Sequence, residues 1–404
     1  LKVLLVAYAC EPEKGSEPGV GWNWAINLSK FVEITVITRT NNKPLIKKIL
    51  ANKSSLNLTF IYYDIPVFCK MKKIIPFGVQ LYSFIWEYFV INRITKLDVD
   101  IVQRVTFVST FSILRLYKIN KPYIMSFCAG GEITPANIYL YYSFFEKLKE
   151  KIRLFYNSAY KYCSVTKKLY ENSKIVLAVT SETKEFICNF GYKKKIIIEP
   201  AIGLGNAVSN LKPAKNYRMI YAGSFIYWKN MEIMVKAFGK INNNNYELDI
   251  YGEENGEAKI KKLILQNMLQ NRIHFKGSIS HAKLQEKMPS YDLALHASSH
   301  DSGSMFLLEA ISAGVPVLFL DTGGPKEIFS GLNYPLKVDP SLNYSKIIIL
   351  YAKKIEWFYE NYDQFMGEFN KYRIDIIQKY DWQNKARRML AIYKEILNEN
   401  SPST

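Results

Sequence analysis

Two carboxylates, Asp301 and Glu309, stand eight residues apart in the segment His300-Asp-Ser-Gly-Ser-Met-Phe-Leu-Leu-Glu309-Ala-Ile-Ser-Ala-Gly-Val-Pro316. An apolar run ends near Ser298, and a small-residue loop follows. A helical pattern then runs from about Met305 to Ala313, where Gly314 and Pro316 stop it. The loop Ser302, Gly303, Ser304, with Met305 opening the helix, would aim backbone N–H groups and the positive helix end at one point. That combination suits a phosphate. Glu309 sits among Leu307, Leu308, Ala310 and Ile311, and a carboxylate in such company needs polar partners. Sugar hydroxyls would serve. On spacing alone, Asp301 fits a helix cap as well as a binding site.

Three further loops have related chemistry. In Asp321-Thr-Gly-Gly-Pro-Lys-Glu327, an apolar strand pattern feeds the turn Gly323-Gly324, and Pro325 falls where a first helical turn begins. In Tyr221-Ala-Gly-Ser-Phe-Ile-Tyr-Trp-Lys229, Gly223 permits close approach to the backbone beside Ser224. Lys229 could meet a diphosphate as a point charge, although a lone lysine is ordinarily a solvated surface residue. The segment Tyr8–Trp24 carries Gly15, Ser16, Glu17, Gly19 and Gly21 after a first strand, entering a helix at about Val20. It lacks G-x-G-x-x-G, and Arg39-Thr-Asn stands where a ribose-binding acid would be, which excludes a nicotinamide dinucleotide site. Gly130, Gly131 and Glu132 follow another strand pattern and are placed on the same cleft.

The elements that must position these loops are short and continuous apolar runs. They fall at 2–9, 33–39, 58–63, 100–106, 122–127, 175–180 and 195–199, then at 219–222, 247–251, 273–276, 293–296 and 315–320. Continuous rather than alternating runs suit strands buried on both faces of a parallel sheet. Helical periods lie between them, such as Leu148, Ile152, Phe155, Ala159 and Tyr162. The fold class is therefore α/β, with two Rossmann-like doubly wound halves that would face each other across a cleft. We expect a first domain over 1–200, a Pro/Gly/Asn-rich linker over 201–216, a second domain over 217–380 and a terminal segment over 381–404. With 404 residues, 49% of them hydrophobic and 22% charged, the chain is globular rather than disordered.

Several chemistries are excluded or disfavoured. Five cysteines, all in the first half and without a CxxC pair, support neither a disulfide framework nor a thiolate metal site. We expect a cytoplasmic protein with no metal and no cofactor. The start reads as a first strand rather than a signal core, and no apolar run is long enough to span a bilayer. The four histidines, His274, His281, His296 and His300, all lie in the second half, so a histidine base from the first half is impossible.

Taken in order, these segments resemble the family 4 retaining glycosyltransferases of GT-B fold, over nearly the whole chain. The family's paired acidic motif falls on Asp301 and Glu309, and the Gly-x-Pro-Val stretch and the Gly-Gly turn match in register. Ala9-Cys-Glu-Pro and Gly-Ser-Glu-Pro-Gly-Val-Gly-Trp resemble one sub-branch. Tyr380-Asp-Trp-Gln-Asn-Lys-Ala resembles the closing helix that crosses back to the first domain. Ser224 stands where the family has a diphosphate-binding arginine, and Gln103-Arg104-Val-Thr where the sub-branch has His-His-Val-Thr.

The resemblance implies that Glu309 holds the nucleotide ribose and Asp301 the transferred sugar. Gly223, Ser224, Lys229, residues 302–305, Gly323 and Gly324 would bind the donor. Gly15, Ser16, Glu17, Gly19, Gln103, Arg104, Gly130, Gly131 and Glu132 would line the acceptor side. It further implies transfer of a hexose-type sugar from a nucleotide-diphosphate sugar to a saccharide acceptor, often lipid-linked, in polysaccharide or glycolipid synthesis. Two rival functions are an inactive GT-B scaffold subunit bound to a partner glycosyltransferase, and a basic nucleic-acid-binding protein.

The net charge of +18 bears on partners. No nucleic-acid recognition motif accompanies it, and nucleic acid is the weakest reading. Cations and aromatics mix at 68–77 and 139–153, which suggests a patch for an anionic membrane and a peripheral position on the inner face of the plasma membrane. The competing expectation is that Phe144, Leu148 and Ile152 are ordinary core.

Overall fold

The computed structural model describes residues 1–51, 56–69, 78–205, 215–252 and 256–399. Most of the expected linker, and the basic stretch after residue 69 up to 77, lie outside the described residues.

The chain forms two compact units. The first holds a seven-stranded, all-parallel sheet of β1 (Lys2–Ala7), β2 (Glu33–Thr38), β3 (Leu58–Tyr62), β4 (Ile101–Thr106), β5 (Tyr123–Cys128), β6 (Ile175–Ala178) and β7 (Ile196–Ile198), in the order 3-2-1-4-5-6-7. The second holds β8 (Arg218–Ala222), β9 (Glu247–Tyr251), β10 (Ile273–Gly277), β11 (Leu293–His296), β12 (Val317–Leu320) and β13 (Lys337–Val338), in the order 10-9-8-11-12-13. The twelve expected strand runs all appear. The thirteenth, β13, has two residues, too few to leave a pattern in sequence.

Every residue of β4, β5, β6, β11 and β12 is buried, which accounts for the unbroken apolar character of β6 and β12, while β4 buries Gln103 and Arg104 as well. Fully burying a Leu or Val side chain contributes roughly 1.5–3 kcal/mol. Both sheets reverse strand order once, at β1/β4 and at β8/β11. Ligands of open α/β sheets bind beyond the carboxyl ends of strands at such a reversal.

Helix Ser16–Leu28 begins earlier than expected, because Pro18 is tolerated in a first turn. It buries Trp24 completely. Helix Trp382–Asn398 belongs to the first unit, as the expected return of the C-terminal segment requires. Trp382 meets Trp24 edge-on at 5.4 Å.

One segment departs from the expected division. Glu132–Ile152, placed by sequence in the first domain, belongs to the second unit, so the chain passes between units four times rather than twice. Among the described residues, no helix is long and apolar enough to cross a membrane.

Candidate functional site

In the second unit, the loops that follow β8 and β11 leave the two strands flanking the reversal, and the β12 loop lies beside them. The β11 loop carries Asp301, whose carboxylate is a hub. Its Oδ1 accepts the N–H groups of Gly303 at 3.2 Å and Ser304 at 3.1 Å. Its Oδ2 pairs with Lys229 Nζ and lies 3.2 Å from His296 Nε2. Burial alone would raise this carboxyl, but Lys229 and His296 hold it well below the usual carboxylate range. His296, buried, is itself pushed below its ordinary value. A neutral imidazole facing an ionised carboxylate donates from Nε2.

This hub changes the role read from sequence for residues 302–304. The Gly303 and Ser304 amides are held by Asp301 rather than aimed at an external anion. The first amides of helix Met305–Ser312 have no carbonyl partner within the helix. They give the helix end its partial positive charge, and the Lys229 ammonium beside it is paired with Asp301. Ser304 is buried in a left-handed conformation (φ 47°), and its Oγ finds no hydrogen-bond partner among the described residues.

Gly323 and Gly324 serve this loop from behind. Gly324 N donates to Asp301 O at 2.6 Å. A Cβ at Gly324 would meet the carbonyl oxygens of Asp301 and Ser302 at 2.8 Å each. The Gly-Gly turn thus seats the Asp301 backbone, and the Gly324 amide is spent on it. Gly223 N bonds Tyr251 O at 3.0 Å, and Ser224 O accepts from Tyr221 Oη at 3.0 Å.

Glu309 projects from helix Met305–Ser312, whose Leu307, Leu308, Ala310 and Ile311 are buried. Its Oε1 lies 2.6 Å from His281 Nε2. That hydrogen bond raises His281 above its ordinary value against an opposing desolvation. The partner that Glu309 needs is therefore in part a histidine from helix His281–Lys287, which sequence reasoning counted but did not place. His296 was also missed as a partner, although it ends β11 five residues before Asp301. Among the described residues, no group of three His, Cys, Asp or Glu side chains is arranged to hold a metal ion.

The first unit brings together fewer of the expected residues. Glu17 accepts the Val108 N–H at 2.9 and 3.1 Å, joining the start of helix Ser16–Leu28 to the loop after β4. Burial pushes its carboxyl up to about 7, against the pull of the Val108 amide and Arg104. Arg104, also buried, donates from Nε to Glu87 at 2.9 Å. With Phe84, Phe107, Phe111 and Tyr156 it lines a cavity of about 210 Å3.

Gln103 does not join this surface. It is fully buried, and its carbonyl oxygen accepts from Tyr393 Oη of the last helix. Alternation along β4 turns it to the opposite face from Arg104. Gly15 and Ser16 are exposed, whereas Gly19 is a packing glycine, since a Cβ there would meet Lys14 O at 2.1 Å. Gly130 O accepts from Asn157, and Gly131 N donates to Thr183 Oγ1 at 3.1 Å. Glu132 is buried and falls in the second unit.

Residues 206–371 match the model of the family described as glycosyl transferases group 1. That match lies within the second unit. Over 216 residues the chain is 25% identical to an uncharacterized glycosyltransferase of Methanocaldococcus jannaschii, covering 52% of this chain and 51% of that protein. The match thus spans about half the length of that relative. Sucrose-phosphate synthase from Thermosynechococcus elongatus superposes with a TM-score of 0.66 at 16% identity, over 99% of this chain and 100% of the other. Anabaena HepE in complex with UDP and glucose superposes with a TM-score of 0.61 at 14% identity, over 97% and 99%. At these identities the likeness is one of fold, and that fold is GT-B. The Asp301 loop and the helix carrying Glu309 lie inside the group 1 match, and so do Lys229 and the Gly-Gly turn.

Proposed function

We propose that this protein is a family 4 retaining, metal-independent glycosyltransferase, transferring a hexose-type sugar from a nucleotide-diphosphate sugar to a saccharide acceptor. The observation that carries this reading is the Lys229–Asp301 pair set beside the first turn of helix Met305–Ser312, with Glu309 one face further along it. Glu309 takes the ribose hydroxyls, and Asp301 the hydroxyls of the transferred sugar. Lys229 and the helix end stabilise the charge that develops on the leaving diphosphate, a task that requires no metal or other cofactor.

In the transfer, the bond from the anomeric carbon to the diphosphate oxygen breaks. A bond to the acceptor oxygen forms on the same face. The acceptor proton passes to the departing phosphate, so a nucleoside diphosphate and a glycoside result and no enzymic base is consumed. On the acceptor side, the charged groups offered are Glu17, at the start of the helix after β1, and Arg104, within β4.

A thermal-shift panel of UDP-, GDP- and ADP-sugars tests donor binding, with UDP first because of the likeness to HepE. A cognate donor at 100 times its dissociation constant adds about 2.7 kcal/mol of stability. Transfer should persist in EDTA, and the product's anomeric proton should report the donor's configuration. A chain that binds a partner glycosyltransferase but responds to no nucleotide sugar would instead be a scaffold subunit.

We also assign the protein to the cytoplasmic surface of an anionic membrane, with a lipid-linked acceptor serving cell-surface polysaccharide or glycolipid synthesis, and with no role for nucleic acid. Helix Phe144–Ser158 supports this, because its faces are inverted. Phe144, Phe145, Leu148, Ile152 and Phe155 are exposed by 76, 72, 46, 59 and 75%, while Glu150 and Asn157 are buried. The exposed apolar face is flanked by the exposed Lys149 and Lys151, and each cation near an anionic leaflet contributes about 1 kcal/mol. At low salt the protein should sediment with phosphatidylglycerol-rich vesicles and stay in solution with phosphatidylcholine vesicles. A Phe144→Asp/Phe155→Asp variant should abolish the difference. Equal sedimentation with both vesicles would end the membrane assignment.

A further inference from the structure

The same inverted helix raises a question about its buried side. Glu150 is 1% exposed, and its surroundings are residues next to the catalytic pair rather than solvent. Oε1 accepts from Thr134 Oγ1 at 2.9 Å. Oε2 accepts from Tyr227 Oη at 3.0 Å and lies 3.3 Å from His300 Nε2. Tyr227 precedes Lys229 by two residues, and His300 immediately precedes Asp301. The His300 ring stacks on Trp228, with centroids 5.0 Å apart and planes 28° from parallel.

A second side chain of Glu132–Ile152 spans the same two loops. Tyr142 Oη donates to Asn230 Oδ1 at 3.1 Å and is hydrogen-bonded to Ser299 Oγ at 2.9 Å. Asn230 follows Lys229 directly, in a left-handed conformation (φ 47°). Its Nδ2 binds Trp228 O at 3.1 Å and Ala297 O at 2.9 Å. Both brace residues therefore touch the β8 loop with one contact and the β11 loop with another.

We propose that Glu150 and Tyr142 are positioning residues for the donor site, a two-point brace that fixes the distance between the loops carrying Lys229 and Asp301. The chain inserts this brace into the second unit from the first half of the sequence. A carboxylate placed in a buried site is costly unless it is paired and hydrogen-bonded, and here its partners are loop residues of the site itself. The reason for the cost lies in transfer chemistry. A lysine displaced by about 1 Å from the developing charge loses about 100-fold in rate. The catalytic consequence rests on the function proposed above, whereas the brace itself does not.

The test uses the full chain with Glu150→Ala, Glu150→Gln and Tyr142→Phe substitutions. Hydrogen exchange read by mass spectrometry should accelerate at least 10-fold in peptides covering both 224–232 and 297–305 for Glu150→Ala, and Glu150→Gln, which keeps the acceptor oxygen, should restore most of the protection. Tyr142→Phe should accelerate the same two peptides. Release of nucleoside diphosphate should show kcat down 10- to 100-fold in Glu150→Ala, with donor KM within threefold of the parent and recovery in Glu150→Gln. All rates are taken well below each variant's unfolding temperature. Unchanged exchange in the two loops overturns the brace, and a kcat loss that only tracks the unfolded fraction overturns its positioning role. If the parent chain neither binds nor turns over any nucleotide sugar, the proposed function falls while the exchange result still decides the brace.

Discussion

Replacing Glu309 by Gln should lower turnover with a nucleotide-sugar donor about 100-fold or more, with little change in thermal stability. The substitution preserves shape and removes one charge. Glu309, with its side chain 11% exposed, is held by His281, whose side chain is 58% exposed, and an ion pair with one member open to solvent contributes little to folding. Its value lies in the hydroxyls it would hold, and an interaction made more strongly in the transition state than in the ground state appears in kcat. Asp301→Asn should behave differently, since Asp301 organises Lys229, His296 and two backbone amides. It should lose both activity and stability. A fully active Glu309→Gln protein would remove Glu309 from the mechanism, and the pattern of Asp301 alone would not replace it.

The largest effect on folding is expected at Lys385. Its side chain is fully buried in helix Trp382–Asn398, where Nζ pairs with Glu199 Oε1 and donates to Pro200 O at 2.7 Å. Trp24 presents its ring to the ammonium at 5.2 Å. Lys385→Ala should destabilise the first unit by about 3 kcal/mol, the lower end of the range for breaking a buried pair. Arg388, 3.2 Å from both Glu199 oxygens, compensates part of the lost charge. Denaturant unfolding followed by Trp fluorescence would measure the change. The Lys385→Met/Glu199→Leu double variant should recover most of it, because no charge is then left buried alone. No loss in the single variant would show that the pair is not holding the helix.

The pH dependence follows from the same pair. Burial alone would raise the Glu199 carboxyl, but Lys385 and Arg388 bring it below its ordinary value of 4.5. A folded-state pKa that is lowered gives stability present above the unfolded pKa. That stability is lost as pH falls through the folded value. The parent chain should therefore lose stability more steeply than the double variant below about pH 4.5.

How much of this was legible in sequence differs from element to element. β11, the loop through Asp301 and helix Met305–Ser312 follow from residue order alone, because a strand buried on both faces leaves a mostly apolar run and Gly314 with Pro316 ends the helix. β13 was not legible, since two residues make no period. The apolar spacing of Leu148, Ile152 and Phe155 correctly announced a helix and its apolar stripe. Period cannot say which way a stripe faces, and here it faces out. Gln103 and Arg104 looked equivalent as neighbours on one strand, yet one is packed against Tyr393 and the other pairs with Glu87.

By itself, then, the sequence determined two parallel-sheet halves and the order of their loops. Those properties are local, being written in strand length, helix stops and short motifs. Only the tertiary structure decided that Asp301 keeps two loop amides for itself, and that His281 and His296 attend the two acids. It alone showed that a segment of the first half braces the second unit. The brace depends on contacts between residues as far apart in sequence as Tyr142 and Ser299, 157 positions. Packing, not pattern, brings such residues within hydrogen-bond reach.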